Sequence, residues 1–203
     1  MIKNYNSNRI KKRITDAAIE VIKERGVEES TVREIATKAG LTTGAIYHYY
    51  KNKDEVLYDV LHQSLHFSHK ITADQQTKLK SQNEVLDEIS NKITQRLSKT
   101  DEQKLYLLLV SDVIAKNGEL KEQYCENYKD ILTQTGDLFY YAFGIENTEL
   151  KAKIASILVA ALDGIAIQQS LGALPDETSK MIEIFNDFFK ESIPLFLEKH
   201  KEL

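Results

Sequence analysis

An all-α fold is predicted for this 203-residue chain, and three observations predict it. Apolar residues recur every three or four positions through most of the sequence, the period of a helix with one buried face. No run alternates Val, Ile or Thr with polar residues as a half-buried strand would. Only two prolines, Pro175 and Pro194, interrupt the pattern.

The first helix is predicted over about residues 8–25, with Ile10, Ile14, Ala17, Ala18, Val21 and Ile22 on one face and Gly26 at its end. Thr31 and Glu34 then have capping-box spacing, so each side chain satisfies a backbone N–H at the other's end. Val32, Ile35, Ala36 and Ala39 carry the second helix, and Gly40 stops it in the left-handed conformation that only glycine adopts cheaply. Leu41 fills the corner, and Thr42 caps a third helix bearing Ile46, Tyr47, Tyr49 and Tyr50, the last two expected on the inward face. Two short helices joined this tightly form a helix-turn-helix, whose second helix is shaped for the DNA major groove. Asn52 and Glu55 repeat the cap for a fourth helix, with Val56, Leu57, Val60, Leu61 and Leu65 inward, running to about residue 70.

Five more helices are expected. Val85, Leu86, Ile89, Ile93 and Leu97 mark the fifth, and residues 105–114 the sixth, broken at Asn117-Gly118. The seventh spans about 119–143 with Gly144 past its end, and the eighth about 148–171. The ninth, about 177–199, follows the turn at Gly172 to Pro175.

Charge separates the two ends. Residues 1–53 hold 11 Lys/Arg against 6 Asp/Glu, and the remainder 16 against 25, so a net charge of −4 conceals a basic head. Cations near phosphates are what DNA binding needs. Screening over about 8–10 Å keeps the acidic remainder from opposing it. The single cysteine, Cys125, makes no intrachain disulfide, which fits a reducing compartment. No apolar run has the length of a membrane span or a signal peptide, so a cytoplasmic protein is expected. No Gly-rich phosphate loop, nucleophile elbow or zincin motif occurs, so neither an enzyme nor a cofactor is expected.

The turn AGLTTG, the aromatic cluster YHYY and the stretch KNKDEVL together resemble the DNA-binding signature of TetR/AcrR-type bacterial transcriptional regulators. The resemblance covers about residues 9–62. It implies DNA contacts at Thr31, Thr42, Thr43, Gly44, Ala45, Tyr47, His48 and Lys53. The residues themselves add reasons. Tyr47 and His48 carry donors on stiff stems suited to phosphates. Lys53 opens a helix whose dipole adds to its charge, and Arg33 lies at the start of the helix that crosses the backbone. Between Thr42 and Tyr47 there is no Arg, Lys, Asn or Gln, the side chains that grip base edges in pairs. Thr43 and Ala45 offer methyl groups for thymine, and Lys3, Arg9, Lys11, Lys12 and Arg13 form a basic N-terminal arm suited to a narrow minor groove. An A·T-rich palindromic operator is therefore expected. The alternative is that these cations solvate the first helix and Arg33 reads a guanine.

On this reading residues 1–53 are the DNA-binding domain, the helix over 53–70 a connector, and 54–203 a ligand-binding and dimerisation domain. A small apolar or aromatic effector is expected between the fourth and seventh helices. Tyr106, Tyr124, Tyr128, Phe139, Tyr140 and Phe143 would be its walls, with His66, His69 and Asp112 as polar groups. The resemblance places His69 at the pocket's border. His62, His66 and His69 share a helical stripe, but no fourth ligand completes a metal site, and none is expected. Ser156, Ala160 and Gly164 form a small-residue stripe on the eighth helix. Phe185, Phe188 and Phe189 belong to an apolar surface wrapping most of the ninth. Such helices need partners on two sides, which a homodimer through both would supply. The function expected is a dimeric repressor released from its operator by a small molecule. The alternatives are a helical adaptor without effector control and an activator of the same fold.

Overall fold

The computed structural model describes residues 2–65, 81–116 and 118–200. Among them are nine helices: α1 (Ile2–Arg25), α2 (Val32–Ala39), α3 (Thr43–Tyr47), α4 (Lys53–Leu65), α5 (Gln82–Leu97), α6 (Thr100–Ala115), α7 (Glu119–Phe143), α8 (Thr148–Leu171) and α9 (Thr178–Lys199). No strand occurs among the described residues.

Several boundaries differ from expectation, each for a local reason. Helix α1 begins at Ile2, so the segment expected as an extended arm is helical from that residue on. Its first two turns carry few apolar residues, and nothing in their periodicity marks the start. Helix α5 begins at Gln82 because Ser81 and Glu84 form a second capping box, with Glu84 Oε2 accepting from the Ser81 N–H at 2.7 Å. Helix α6 opens with Thr100, Asp101, Glu102 and Gln103, a polar first turn invisible to an apolar pattern. Helix α3 is only five residues long; His48 and Tyr49 form a turn in which the Tyr49 N–H donates to Ile46 O at 2.8 Å.

The described residues fall into two compact units. The first comprises those of 1–65 and 105–127, the second those of 66–104 and 128–203. This division does not follow the cut after residue 53 expected above, and it splits α6 and α7 between units.

In the first unit α1 packs on α2 and α4, and α2 on α3. Ile14, Ala18, Ile22, Ile35, Ile46, Val56, Leu57 and Val60 are buried. These are the apolar positions that the helical period selects. In the second unit α5 packs on α8 and α9. Its core joins Val85, Ile89, Ile93 and Leu97 of α5 to Leu138 and Phe139 of α7. Ile154, Leu158 and Leu162 of α8 and Ile182, Phe189 and Leu197 of α9 complete it. Burying side chains of this size stabilises by about 1.5–3 kcal/mol each.

Candidate nucleic-acid interface

The helix-turn-helix is built by caps and a glycine. Thr31 Oγ1 accepts from Glu34 N at 3.2 Å while Glu34 Oε2 accepts from Thr31 N at 3.0 Å. Gly40 takes φ 62°, ψ 39° at the end of α2, and the Leu41 N–H reaches Ala36 O at 2.9 Å, closing the helix. Arg13 Nη2 donates to Gly40 O at 3.2 Å and lies 2.7 Å from where a Cβ on Gly40 would be. Glycine is thus required there by conformation, and a Cβ would also displace the tip of the Arg13 side chain. Thr42 Oγ1 accepts from Ala45 N at 3.1 Å and starts α3. Asn52 Oδ1 accepts from Glu55 N at 2.9 Å, and the Glu55 carboxylate accepts from Lys51 N at 2.8 Å, so α4 is capped as its sequence implies.

Ion pairs then fix the helices. Lys38 bridges Glu24 at 2.6 Å and Glu20 at 3.1 Å, tying α2 to α1, and both carboxylates raise its pKa. Arg25 meets Glu34 at 2.5 Å. The Thr31 hydroxyl first, with its backbone N–H and the Arg25 charge adding, holds the Glu34 carboxyl below the ordinary value of 4.5. Tyr50 is buried and its hydroxyl donates to Asp59 Oδ2 at 2.8 Å; Lys11 pairs with Asp59 and lies 4.9 Å from the Tyr50 ring centroid. Burial, then the Asp59 contact, pushes the Tyr50 hydroxyl far up, so it stays protonated. Of the two tyrosines expected inward, only Tyr50 is buried; Tyr49 is half-buried, edge-on to His48 at 5.1 Å.

The residues expected to touch DNA divide into two groups. Tyr47 is 56 % exposed, and Thr43, Gly44, His48 and Arg33 are exposed as well. Ala45 is partly exposed. The Arg33 guanidinium makes no ion pair with a described residue. Thr31, Thr42 and Lys53 are engaged within the head: the two threonines cap helices, and Lys53 Nζ donates to Val27 O at 2.9 Å. That lysine bond was not visible in sequence, since it joins residues 26 positions apart. The cations of the N-terminal arm are also redirected, Lys12 to Asp16 and Lys11 to Asp59.

The residues expected to bind an effector belong to both units. Within the first unit the Tyr106 and Tyr124 hydroxyls meet at 3.0 Å, both rings buried, and Asp112 pairs with Lys116 at 2.6 Å. Within the second, Tyr128 donates to Asp163 Oδ2 at 3.0 Å, and Asp163 also holds Arg96. Phe139 is completely buried and stacks on Phe143 at 6.4 Å, so it is core and offers a ligand no surface. Its helical spacing brings it against Phe189 of α9 instead. Tyr140 is exposed beneath Lys151. His66 and His69 lie outside the described residues, as does any continuation of α4 to residue 70.

The second unit does contain an aliphatic cavity of about 80 Å³ between α5, α7 and α8. Ile89, Ile93, Ile131, Leu138, Leu158 and Leu162 line it, with Lys92, Arg96 and Thr135 as its polar members. On α8 and α9, Ser156, Ala160 and Phe188 are exposed and Gly164 is half-buried. Phe189 is only 4 % exposed, turned into the core, and Phe185 packs against that core too. The exposed large apolar residues of α8 and α9 are Ile157, Ile167, Leu171, Ile184, Phe188, Leu195 and Phe196.

The description "Bacterial regulatory proteins, tetR family" matches residues 14–60, the helices just described. The head of this chain matches that of the TetR family. Its head is 44 % identical over 52 residues to the fatty acid metabolism regulator protein of Bacillus subtilis, covering 26 % of this chain and 27 % of that one. It is 46 % identical over 56 residues to the regulator SrpR of Pseudomonas putida, covering 28 % and 26 %. The chain thus spans about a quarter of the length of these curated relatives. Beyond the head only the fold is shared. The FadR regulator of Bacillus subtilis in complex with stearoyl-CoA superposes with a TM-score of 0.68 at 21 % identity, covering 89 % of this chain and 98 % of that one. A transcriptional regulator from Aquifex aeolicus does so with 0.65 at 17 %, covering 89 % and 98 %. Among the described residues no helix is long and apolar enough to cross a membrane.

Proposed function

We propose that this chain is a cytoplasmic, homodimeric TetR-family transcriptional repressor that leaves its operator when a small apolar molecule binds the second unit. The observation that carries this reading is the division of labour within the head. Almost every polar group that shapes it is satisfied internally, whereas Arg33, Thr43, Tyr47 and His48 stand exposed. Tyr47 and His48 set register on phosphates. Arg33 and Thr43 face bases, and Lys53 adds a phosphate contact with the ammonium protons that Val27 leaves over. With the basic segment helical rather than an extended arm, the A·T preference rests on Thr43 and Ala45 meeting thymine methyls.

Two heads in successive grooves need a two-fold dimer, and the apolar face of α8 and α9 is the surface suited to it. For the effector, the aliphatic cavity beside Lys92 and Arg96 suits an apolar chain, although at about 80 Å³ it must widen to take more than a few methylenes. A relative named for fatty acid metabolism, and a fold neighbour solved with stearoyl-CoA, support that choice. Effector binding should weaken operator binding by about 1–3 kcal/mol of coupling.

The test is a mobility shift on the chain's own promoter region, with light scattering on the free protein. A retarded complex of two chains per palindrome, released by a fatty acyl ligand, is expected. A protein monomeric at micromolar concentration, or indifferent to operator sequence, would remove the reading. In the same assay Lys53→Ala should weaken all sequences alike and flatten the log–log salt slope by roughly one unit per half-site.

A further inference from the structure

Helix α3, which carries the reading residues, has little hold of its own. It is five residues long, packs on α2, and of its side chains only Ile46 is buried. Its N-terminal end is fixed by the Thr42 cap and the turn at Gly40. The other end is fixed by a contact that the function proposed above leaves unused.

Tyr50 supplies that contact. Its backbone N–H donates to Ile46 O at 3.0 Å, so the residue is joined to the last turn of α3. Its side chain is 3 % exposed, and its hydroxyl donates to Asp59 Oδ2 of α4 at 2.8 Å. Burial, then Asp59, keeps that hydroxyl protonated, so the donor is always present. Lys11 of α1 completes the arrangement. Its ammonium lies 3.5 Å from the same carboxylate oxygen and 4.9 Å from the Tyr50 ring centroid, within reach of a cation–π contact. One side chain thus ties the end of α3 to both α1 and α4.

Tyr47 and His48 lie between the two anchored residues, Ile46 and Tyr50, and both are exposed. Groups that recognise a partner have to be held within about 0.5 Å of their productive placement by neighbours that are themselves locked. Ile46 cannot do this alone, because apolar burial is non-directional. A hydrogen bond to a charged acceptor is directional and strong.

We infer that Tyr50, Asp59 and Lys11 are positioning residues for operator recognition. Through the Tyr50 hydroxyl they fix the orientation of α3, with Tyr47 and His48 at its end, and so set discrimination between sequences without touching DNA. Lys11, a cation that sequence alone would assign to a phosphate, serves the protein instead. The inference rests on the DNA-binding reading of the head and not on the effector.

The test uses the full-length protein and the half-sites it selects from a random oligonucleotide pool. Affinity is measured for the selected operator and for a scrambled duplex over a range of salt. The ratio of the two affinities is the readout, because a loss of folded protein lowers both alike and leaves their ratio unchanged. Tyr50→Phe keeps the ring, and the Lys51 N–H still donates to Glu55, so its melting temperature should stay close to the parent's. Its ratio should fall about tenfold, the scale of one hydrogen bond to a charged group, with the salt slope unchanged. Asp59→Leu should match it. Asp59→Asn, which keeps a carbonyl oxygen to accept from the hydroxyl, should retain most of the parent's ratio. Lys11→Met should lower the ratio and leave the salt slope as it was. An unaltered ratio in Tyr50→Phe or Asp59→Leu would overturn the assignment. So would a Lys11→Met variant that weakens both duplexes alike and flattens the slope by about one unit per half-site, the mark of a phosphate contact. A parent that prefers no sequence would overturn the DNA-binding reading and this role with it. A parent that discriminates but ignores every acyl ligand would count against the effector alone and leave the positioning role standing.

Discussion

The head and the second unit use their side chains in opposite ways. In the head, function and folding draw on the same short-range chemistry. Caps at Thr31 and Thr42, a left-handed glycine and the tyrosine after the turn both build the motif and present it. In the second unit the residues with the most evident chemistry are consumed by packing. Phe139 and Phe189 are core, and Tyr128 satisfies Asp163. The surfaces proposed for its function are what remains after that core has closed. A chemically conspicuous residue is therefore informative where structure is local and misleading where it is long-range.

The sharpest test of this contrast compares adjacent phenylalanines. Phe189→Ala should cost about 3–5 kcal/mol of stability, the range for emptying a packed aromatic site, read from denaturant unfolding. Phe188→Ala, at 67 % exposed, should change the stability of the isolated unit little. Similar losses for both would mean that α9 presents a different face.

The same pair separates assembly from folding. Phe188→Asp should yield a folded monomer by light scattering, with operator affinity reduced on the order of a hundredfold or more once the second head is no longer tethered. A dimer that persists would place the interface away from α8 and α9.

A smaller effect is expected in the head. Gly40→Ala should destabilise by about 1–2 kcal/mol from its left-handed backbone alone, with the displacement of Arg13 adding to that. If the melting temperature holds but operator binding falls, the turn serves presentation more than stability.

The smallest effect is on pH dependence. Glu34 has a lowered pKa in the folded chain, so it binds fewer protons there than in the unfolded chain below the ordinary value of 4.5. Its contribution is fully present above that value and is lost as pH falls through the folded pKa. Melting temperature should therefore drop more steeply between pH 5 and pH 3 in the parent than in Glu34→Gln. Parallel profiles would show that the capping carboxylate carries no pH-linked stability.

Sequence by itself determined the helices and the helix-turn-helix. Those follow from contacts three to five residues apart, such as Thr31 with Glu34 and Gly40 with the α2 carbonyls, and the chain order states them outright. It also marked which positions are apolar, because a period of 3.6 residues selects a face. It did not state which of two apolar faces on α9 is inward, since Phe185, Phe188 and Phe189 are equally apolar and only one direction meets α5 and α7. Nor did it show that Lys53 would bind Val27, that Arg13 would fill the space beside Gly40, or that Lys11 would meet Asp59. Those are encounters between segments 26 positions or more apart in the chain. Only the tertiary structure decides them, because packing chooses among many chemically equal partners by shape.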